Sequence, residues 1–379
     1  MTDIRRWGEA CREDRLLPFL THLTSLPCLS SLHLTKVHLS RLPAAALVQA
    51  VLATPSVQLD PLSNSLTTYQ ASLLLASLSS SKTGNPGLSH LTLRNCSLTA
   101  VCPHLMASLA NLSSFTALWV EFSPAQLEVM LTSLASSNSK LRALTLPDYY
   151  CAGLATRALQ PDTLATALAS LQSLSYGCHV PDQLWKIMAE GKARIKRMNV
   201  RRKFLIEHPS ADILARALST LEEIDFEKNF PEDEDSEYAD CFHGHQVVKI
   251  FERMSRSSSS VRKLTLEIGE ENILNHLELP PGLFAKALLN IEEVTIEVED
   301  ERVFYKEIIE LFRQISMSKE SKLQKLELIV RSSTKHELSS QTLQSARLLQ
   351  TRQRITRPTQ VCSQNHVSPS LQPLAPQAL

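Results

Sequence analysis

Glycine is scarce in this chain, and its scarcity excludes one large class of functions. The 379 residues include 9 glycines against 19 prolines. Loops that cradle a phosphate group need glycine, because its missing side chain lets the backbone come close to the phosphate. Neither Gly-x-x-x-x-Gly-Lys nor Gly-x-Gly-x-x-Gly occurs. We therefore expect no nucleotide-binding domain.

The motifs of common catalytic sites are missing as well. The sequence contains no Gly-x-Ser-x-Gly and no His-Glu-x-x-His. Its 12 histidines are dispersed, with no carboxylate at a fixed spacing from them. Because those motifs carry the nucleophile or the metal of large hydrolase classes, the sequence predicts a protein that is not an enzyme and binds no cofactor.

One short segment has the residue types of a metal site. Cys241, His243 and His245 alternate at the end of an acidic insertion, residues 230–244. Alternation could place all three on one side of an extended segment. No second cluster completes a structural zinc site, so we interpret the insertion as an exposed acidic loop and predict no metal.

Charge and hydropathy exclude two further kinds of partner. The 39 basic and 39 acidic residues balance, which gives no global attraction to nucleic acid or to a membrane surface. No run of about 18 apolar residues is present, so we expect no membrane-spanning helix.

The first 15 residues are charged and do not read as a signal peptide. Eight cysteines without a Cys-x-x-Cys pair complete the case for a reducing, cytoplasmic setting.

A repeated pattern dominates what is present. The spacing apolar-x-x-apolar-x-apolar recurs about eleven times, at intervals of roughly 25–40 residues. The clearest copy has Leu88, Leu91 and Leu93, followed by Asn95 and Cys96. Segments with helical periodicity follow nearly every copy. The pattern predicts short strands, each joined to the next parallel strand through a helix.

The copy at Leu88–Leu98 resembles the ribonuclease-inhibitor-like class of leucine-rich repeat proteins, and the resemblance covers about residues 26–330. It implies an α/β leucine-rich repeat solenoid, or horseshoe, with parallel strands on the concave face and helices on the convex face. We expect an N-terminal capping helix at 1–25, beginning at Thr2 or Asp3. An irregular solenoid of about eleven repeats should follow at 26–350, and a disordered tail at 351–379.

Members of this class usually bind partners on the concave face. Residues that alternate with the buried positions of each strand should point out of that face. We take one triplet as Phe115, Leu118 and Val120, which puts Trp119 on the surface as an aromatic anchor. The alternative is a slip in register that buries Trp119. The predicted partner-binding residues are His90, Arg94, Trp119, Glu121, Arg197, Arg201, Glu223, Asp225, Glu227 and Glu293.

The function expected from these features is non-catalytic recognition of a protein partner, as an adaptor, a scaffold or a fragment of a receptor. A first alternative is a substrate-recruiting subunit of a ubiquitin ligase, which would bind ligase components. A second is a nucleic-acid binder that uses the basic segment 192–203. We favour it less, because Ile195, Met198 and Val200 fit the buried positions of a strand there.

Overall fold

In a computed structural model, one parallel sheet runs through the described residues, which are 3–4, 18, 22, 29–61, 66–80, 87–136, 138–146, 160–176, 180–201, 210–227, 244–256, 258–268, 281–298, 313–315 and 322–330. The sheet has 12 strands, and each lies beside the strand that precedes it in the chain. The strands are β1 Asp3–Ile4, β2 Ser31–Val37, β3 Ser56–Pro61, β4 His90–Ser97, β5 Ser114–Glu121, β6 Ala143–Leu146, β7 Ser173–Tyr176, β8 Arg197–Arg201, β9 Glu223–Glu227, β10 Lys263–Ile268, β11 Glu293–Val298 and β12 Lys325–Val330.

Helices connect most of these strands. The α-helices are α1 Ala44–Ala53, α2 Thr68–Ser80, α3 Pro124–Leu134, α4 Pro161–Ala169, α5 Asp182–Ala189, α6 Ala211–Ser219, α7 Gly244–Met254 and α8 Pro281–Leu289. Two 3-10 helices, Leu39–Arg41 and Pro103–Asn111, lie in the earlier connections. The predicted alternation of strand and helix is confirmed, and the molecule is an α/β protein with an architecture compatible with a solenoid.

The apolar residues of the repeated pattern form the core. In β4, Leu91 and Leu93 are buried, and Leu88 before the strand is buried with them. They belong to one cluster of buried residues that extends from Leu29 to Leu323. A short strand and its helix cannot enclose these side chains alone, so each unit gains burial only by lying against the next.

A shared backbone acceptor sets the register between strands. The carbonyl of Ser89 accepts hydrogen bonds from two consecutive amides, Ser113 at 2.8 Å and Ser114 at 3.1 Å. The same two-amide arrangement recurs at the start of every strand from β4 to β12. The accepting carbonyls belong to Pro55, Ser89, Ser113, Arg142, Gln172, Lys196, Glu222, Arg262 and Glu292. Each strand is thereby held at one fixed offset from the strand before it.

Two buried glutamines tie one unit to the unit before it. Gln126 is the third residue of α3, and its Nε2 donates to the carbonyls of Leu98 at 2.6 Å and Val101 at 2.7 Å. Its Oε1 accepts from the Ser123 amide, which completes a capping box at the start of α3. Gln70 makes the same set of bonds in α2, to the carbonyls of Leu39 and Leu42. Buried polar groups are tolerated where they are paired in this way.

The predicted register of β5 is wrong. Phe115 lies opposite Leu91 and Leu144, and Ala117 lies opposite Leu93. The buried triplet is therefore Leu112, Phe115 and Ala117, and not Phe115, Leu118 and Val120. The larger side chains suggested the wrong alignment, because alanine carries little hydrophobic signal although it fills the inner position here.

The N-terminal prediction needs one correction. Asp3 and Ile4 form a short strand that pairs with Ser31 and Leu32, where we expected the first turn of a helix. Pairing with β2 satisfies backbone groups at that edge of the sheet, which a helix could not do. Most of the rest of 1–25, the acidic insertion apart from Gly244, and the tail at 351–379 lie outside the described residues.

Replacing Gln126 with leucine should destabilise the fold by about 2–4 kcal/mol. The change keeps the volume but removes the Gln126 donor from the carbonyls of Leu98 and Val101, of which Leu98 keeps the Val101 amide, and leaves the Ser123 amide without its acceptor. The free energy of unfolding, measured in urea, tests this expectation. The control is Gln160→Leu, because Gln160 precedes α4 and is exposed without a capping bond. A Gln126→Leu variant as stable as the Gln160→Leu variant would show that the buried bonds contribute little.

Candidate functional site

The face of the sheet opposite the buried residues is the candidate site, and we call it the open face. Residues on β2 to β12 are aligned there in rows, because the parallel register holds equivalent positions side by side. The first row is Ser31, Ser56, His90, Ser114, Ala143, Ser173, Arg197, Glu223, Lys263, Glu293 and Lys325. The second row is His33, Gln58, Thr92, Thr116, Thr145, Ser175, Asn199, Asp225, Thr265, Thr295 and Glu327.

Most of the predicted partner-binding residues fall on the open face. The first row contains His90, Arg197, Glu223 and Glu293, and the second contains Asp225. Beyond the second row, further positions form a third, in which Arg94 lies opposite Leu118. In that row the backbone of Arg201 lies opposite that of Glu227. The side chains of those last two residues lie outside the described part of the chain.

Trp119 and Glu121 do not lie in the three rows of the open face. Because β5 is shifted, the open-face residues of this strand are Ser114, Thr116 and Leu118. Trp119 takes the position that Asn95 holds in β4, and both have left-handed backbone, with φ of 61° and 48°. Trp119 is 48% exposed all the same, and it lies at the end of the open face. Aligning Asn95-Cys96-x-Leu98 with Trp119-Val120-x-Phe122 would have revealed the true register.

The left-handed backbone costs Asn95 little free energy and strains Trp119. Asparagine adopts it readily, because its short side chain can bond locally. The Nδ2 of Asn95 donates to Oδ1 of Asp60 on β3 at 2.7 Å, which joins neighbouring strands at the turn. A tryptophan in this conformation is strained, and strain of this kind persists where the surrounding structure imposes it, often at functional sites.

The charged half of the open face is largely neutralised by its own neighbours. Along the first row from β8 to β12 the signs alternate from one strand to the next. Arg197 and Glu223 are an ion pair, with Nε and Oε2 3.4 Å apart. Lys325 pairs with Glu327 at 2.9 Å, and this hydrogen bond raises the pKa of Lys325. The basic and acidic strands predicted to attract a partner therefore attract each other first.

The same holds for the basic segment 192–203. Lys196 bonds Glu222 at 2.9 Å, and this hydrogen bond, with the charge of the lysine, lowers the pKa of Glu222. Lys192 bonds Glu190 at 2.7 Å. Ile195, Met198 and Val200 are buried, as the strand interpretation required. Several cations that a nucleic acid would need are thus already paired with carboxylates.

Arg94 differs from the other arginine of the open face whose side chain is described. It is half-buried, and its Nε is buried without a hydrogen-bond partner. The nearest carboxylate on β3 is Asp60, whose Oδ1 accepts from Asn95. Since Arg94 lies opposite Leu118, the position facing it on β5 carries no charge.

Comparison with known proteins adds no assignment, because no protein-family model and no curated protein sequence matches the chain. Within the described ranges, no three side chains of the metal-binding types lie close enough together to hold an ion. None of the helices in those ranges has both the length and the apolar character of a membrane span.

Replacing Trp119 with asparagine should give a more stable protein than replacing it with alanine, by about 0.5–1 kcal/mol. Both variants lose the indole, but only asparagine accommodates the left-handed backbone at low cost. Urea unfolding of the two variants measures the difference. Equal stabilities would mean that the backbone at residue 119 is not held in this conformation.

The two cysteines with described surroundings should react differently. Burial raises the pKa of the Cys96 thiol to about 12, and the nearby charge of Glu121 contributes. Cys102 is exposed at the start of the second 3-10 helix. Iodoacetamide attacks the thiolate, so at mildly alkaline pH the native protein should be alkylated at Cys102 and spared at Cys96. Peptide mapping reads both sites, and labelling in denaturant is the control. Equal labelling of the native protein would contradict the buried environment of Cys96.

Proposed function

We propose that this chain is a leucine-rich repeat protein of the ribonuclease-inhibitor-like class and that it recognises a protein partner, without catalysis, through the open face. The open face corresponds to the concave face of the sequence interpretation. The observation that carries the proposal is the continuous register of its first two rows, to which every strand from β2 to β12 contributes. At about 4.8 Å per strand, the rows are on the order of 50 Å long.

Such a surface fits what protein interfaces need. A stable interface buries about 800 Å² on each partner, which a face of this length can supply. Its residues on β2 to β7 are mostly small and polar, and those on β8 to β12 carry charges of alternating sign. Trp119 adds an exposed aromatic at the end of β5, the residue type most often found as an energetic anchor.

A cytoplasmic location and a role as adaptor or scaffold belong to the same proposal. Cys96 and Cys102 are both free thiols, in keeping with a reducing compartment.

A ubiquitin-ligase subunit differs from an adaptor only in the identity of its partners. Ligase components among the recovered proteins would favour that alternative.

Placing glutamates on the open face should abolish partner recovery. Thr92→Glu/Thr116→Glu adds two anionic side chains to adjacent strands of the second row. The matched control, Thr132→Glu/Thr166→Glu, adds the same charges at exposed positions of α3 and α4. Tagged proteins are expressed in cells of the source organism, and recovered partners are quantified by mass spectrometry.

The proposal expects partners that the wild type and the helix variant retain and the open-face variant loses by about tenfold or more. Circular dichroism and urea unfolding establish that both variants are folded. Equal recovery by the two double variants would refute binding through the open face.

A further inference from the structure

The two ends of the open face differ in how far their charges are already satisfied. On β8, β9 and β12, Arg197, Glu223, Lys325 and Glu327 are engaged in ion pairs within the chain. A partner binding there would have to replace those contacts. On β4 the situation is reversed, because among the described residues Arg94 has no ion-pair partner and its Nε is buried without an acceptor.

The surroundings of Arg94 prepare it for an anion from outside the chain. Asp60 and Asn95 bond each other at 2.7 Å. Leu118 lies opposite Arg94, and the neighbouring second-row residues Thr92 and Thr116 are uncharged and half-buried. An arginine held in an apolar and hydroxylated setting binds a carboxylate more strongly than a fully solvated one, and it can donate two parallel hydrogen bonds.

Trp119 marks the adjoining edge of the same region. It is the residue after Leu118, so it lies one strand across and one residue beyond Arg94. It keeps left-handed backbone with φ of 61° and leaves 48% of its surface exposed. An aromatic side chain that is both strained and exposed costs stability, and retention of such a group is typical of binding sites.

Resting on the proposed function, we propose that the partner is recognised at β3 to β5 through an acidic segment, in which a carboxylate binds Arg94 and a neighbouring apolar side chain packs on Trp119. Successive residues of an extended chain are about 3.3 Å apart, and adjacent strands of the sheet are about 4.8 Å apart. The acidic and the apolar residue are therefore next to each other or two positions apart in the partner. Glu121 is the last residue of β5 and lies opposite Ser97, so it does not occupy the position that faces Arg94.

A charge reversal on the full-length chain tests this proposal. Random short peptides displayed on phage are selected on the wild type, on Arg94→Glu and on Arg216→Glu. The last is the matched control, because Arg216 is an exposed arginine of α6 and lies off the open face. The wild type and the control should enrich peptides with Asp or Glu beside an apolar residue, and Arg94→Glu should lose that enrichment.

A synthetic peptide of the selected sequence then gives affinities by fluorescence anisotropy. Arg94→Glu should weaken its binding at least about tenfold, and Arg94→Gln should weaken it by a smaller factor. Trp119→Ala should weaken peptide binding, whereas Trp119→Phe should retain most of the wild-type affinity. Unfolding curves that match the wild type show that the Arg94 variants are folded. If Arg94→Glu does not fold, the loss of affinity is measured on Arg94→Gln instead.

Two results would overturn the inference and leave the proposed function standing. One is acidic enrichment that survives Arg94→Glu. The other is selection of peptides without acidic residues whose binding Thr92→Glu/Thr116→Glu abolishes. Peptides selected by the wild type that bind equally well to the open-face double variant would refute both the inference and the proposed function.

Discussion

The register of the sheet from β4 to β12 depends on one backbone arrangement, in which a single carbonyl accepts two consecutive amides at the start of the next strand. Ser89 does this for Ser113 and Ser114, and Glu222 does it for Arg262 and Lys263. The bond pair fixes the offset between strands, whatever the length of the connection that separates them. Connections of very different length, such as those before β5 and before β10, therefore deliver equivalent residues to the same rows.

That constraint decides which side chains meet. In β8 and β9 it sets Arg197 beside Glu223 and Lys196 beside Glu222, so residues distant in sequence become ion pairs. In β3 and β4 it sets Asp60 beside Asn95 and leaves Arg94 opposite Leu118. Two parts of one surface thus differ: β8 and β9 are joined by ion pairs, and on β4 the Nε of Arg94 is buried without a hydrogen-bond partner among the described residues.

The end of β5 shows how a local departure creates a distinctive surface. At the equivalent position of β4, Asn95 adopts the left-handed backbone and bonds the preceding strand. Trp119 adopts the same backbone at a higher cost, and it remains 48% exposed. Because the register allows no slip, the strain cannot be relieved by moving the strand, and the indole stays at the edge of the open face.

Much of the architecture followed from the repeated pattern. The spacing of Leu88, Leu91 and Leu93, and of its other copies, predicted buried strand positions and helical segments between them. Both are local signals, in which a residue's neighbours along the chain decide its state. The sequence also predicted that Arg197 and Glu223 share one face, since alternation along a strand determines which side a residue occupies.

Tertiary structure decided the rest, because it depends on partners that are remote in sequence. Ala117, and not Leu118, took the inner position of β5 beside Leu93, since Phe115 had to lie between Leu91 and Leu144. Asp3 and Ile4 became a strand because the edge of β2 offered hydrogen bonds that a local helical pattern cannot reveal. The sequence alone determined that the chain must stack strands and helices to bury its leucines. Only the stacked structure decided which surface charges form ion pairs, because charge pairing depends on the distance across strands and not on the order of residues along the chain.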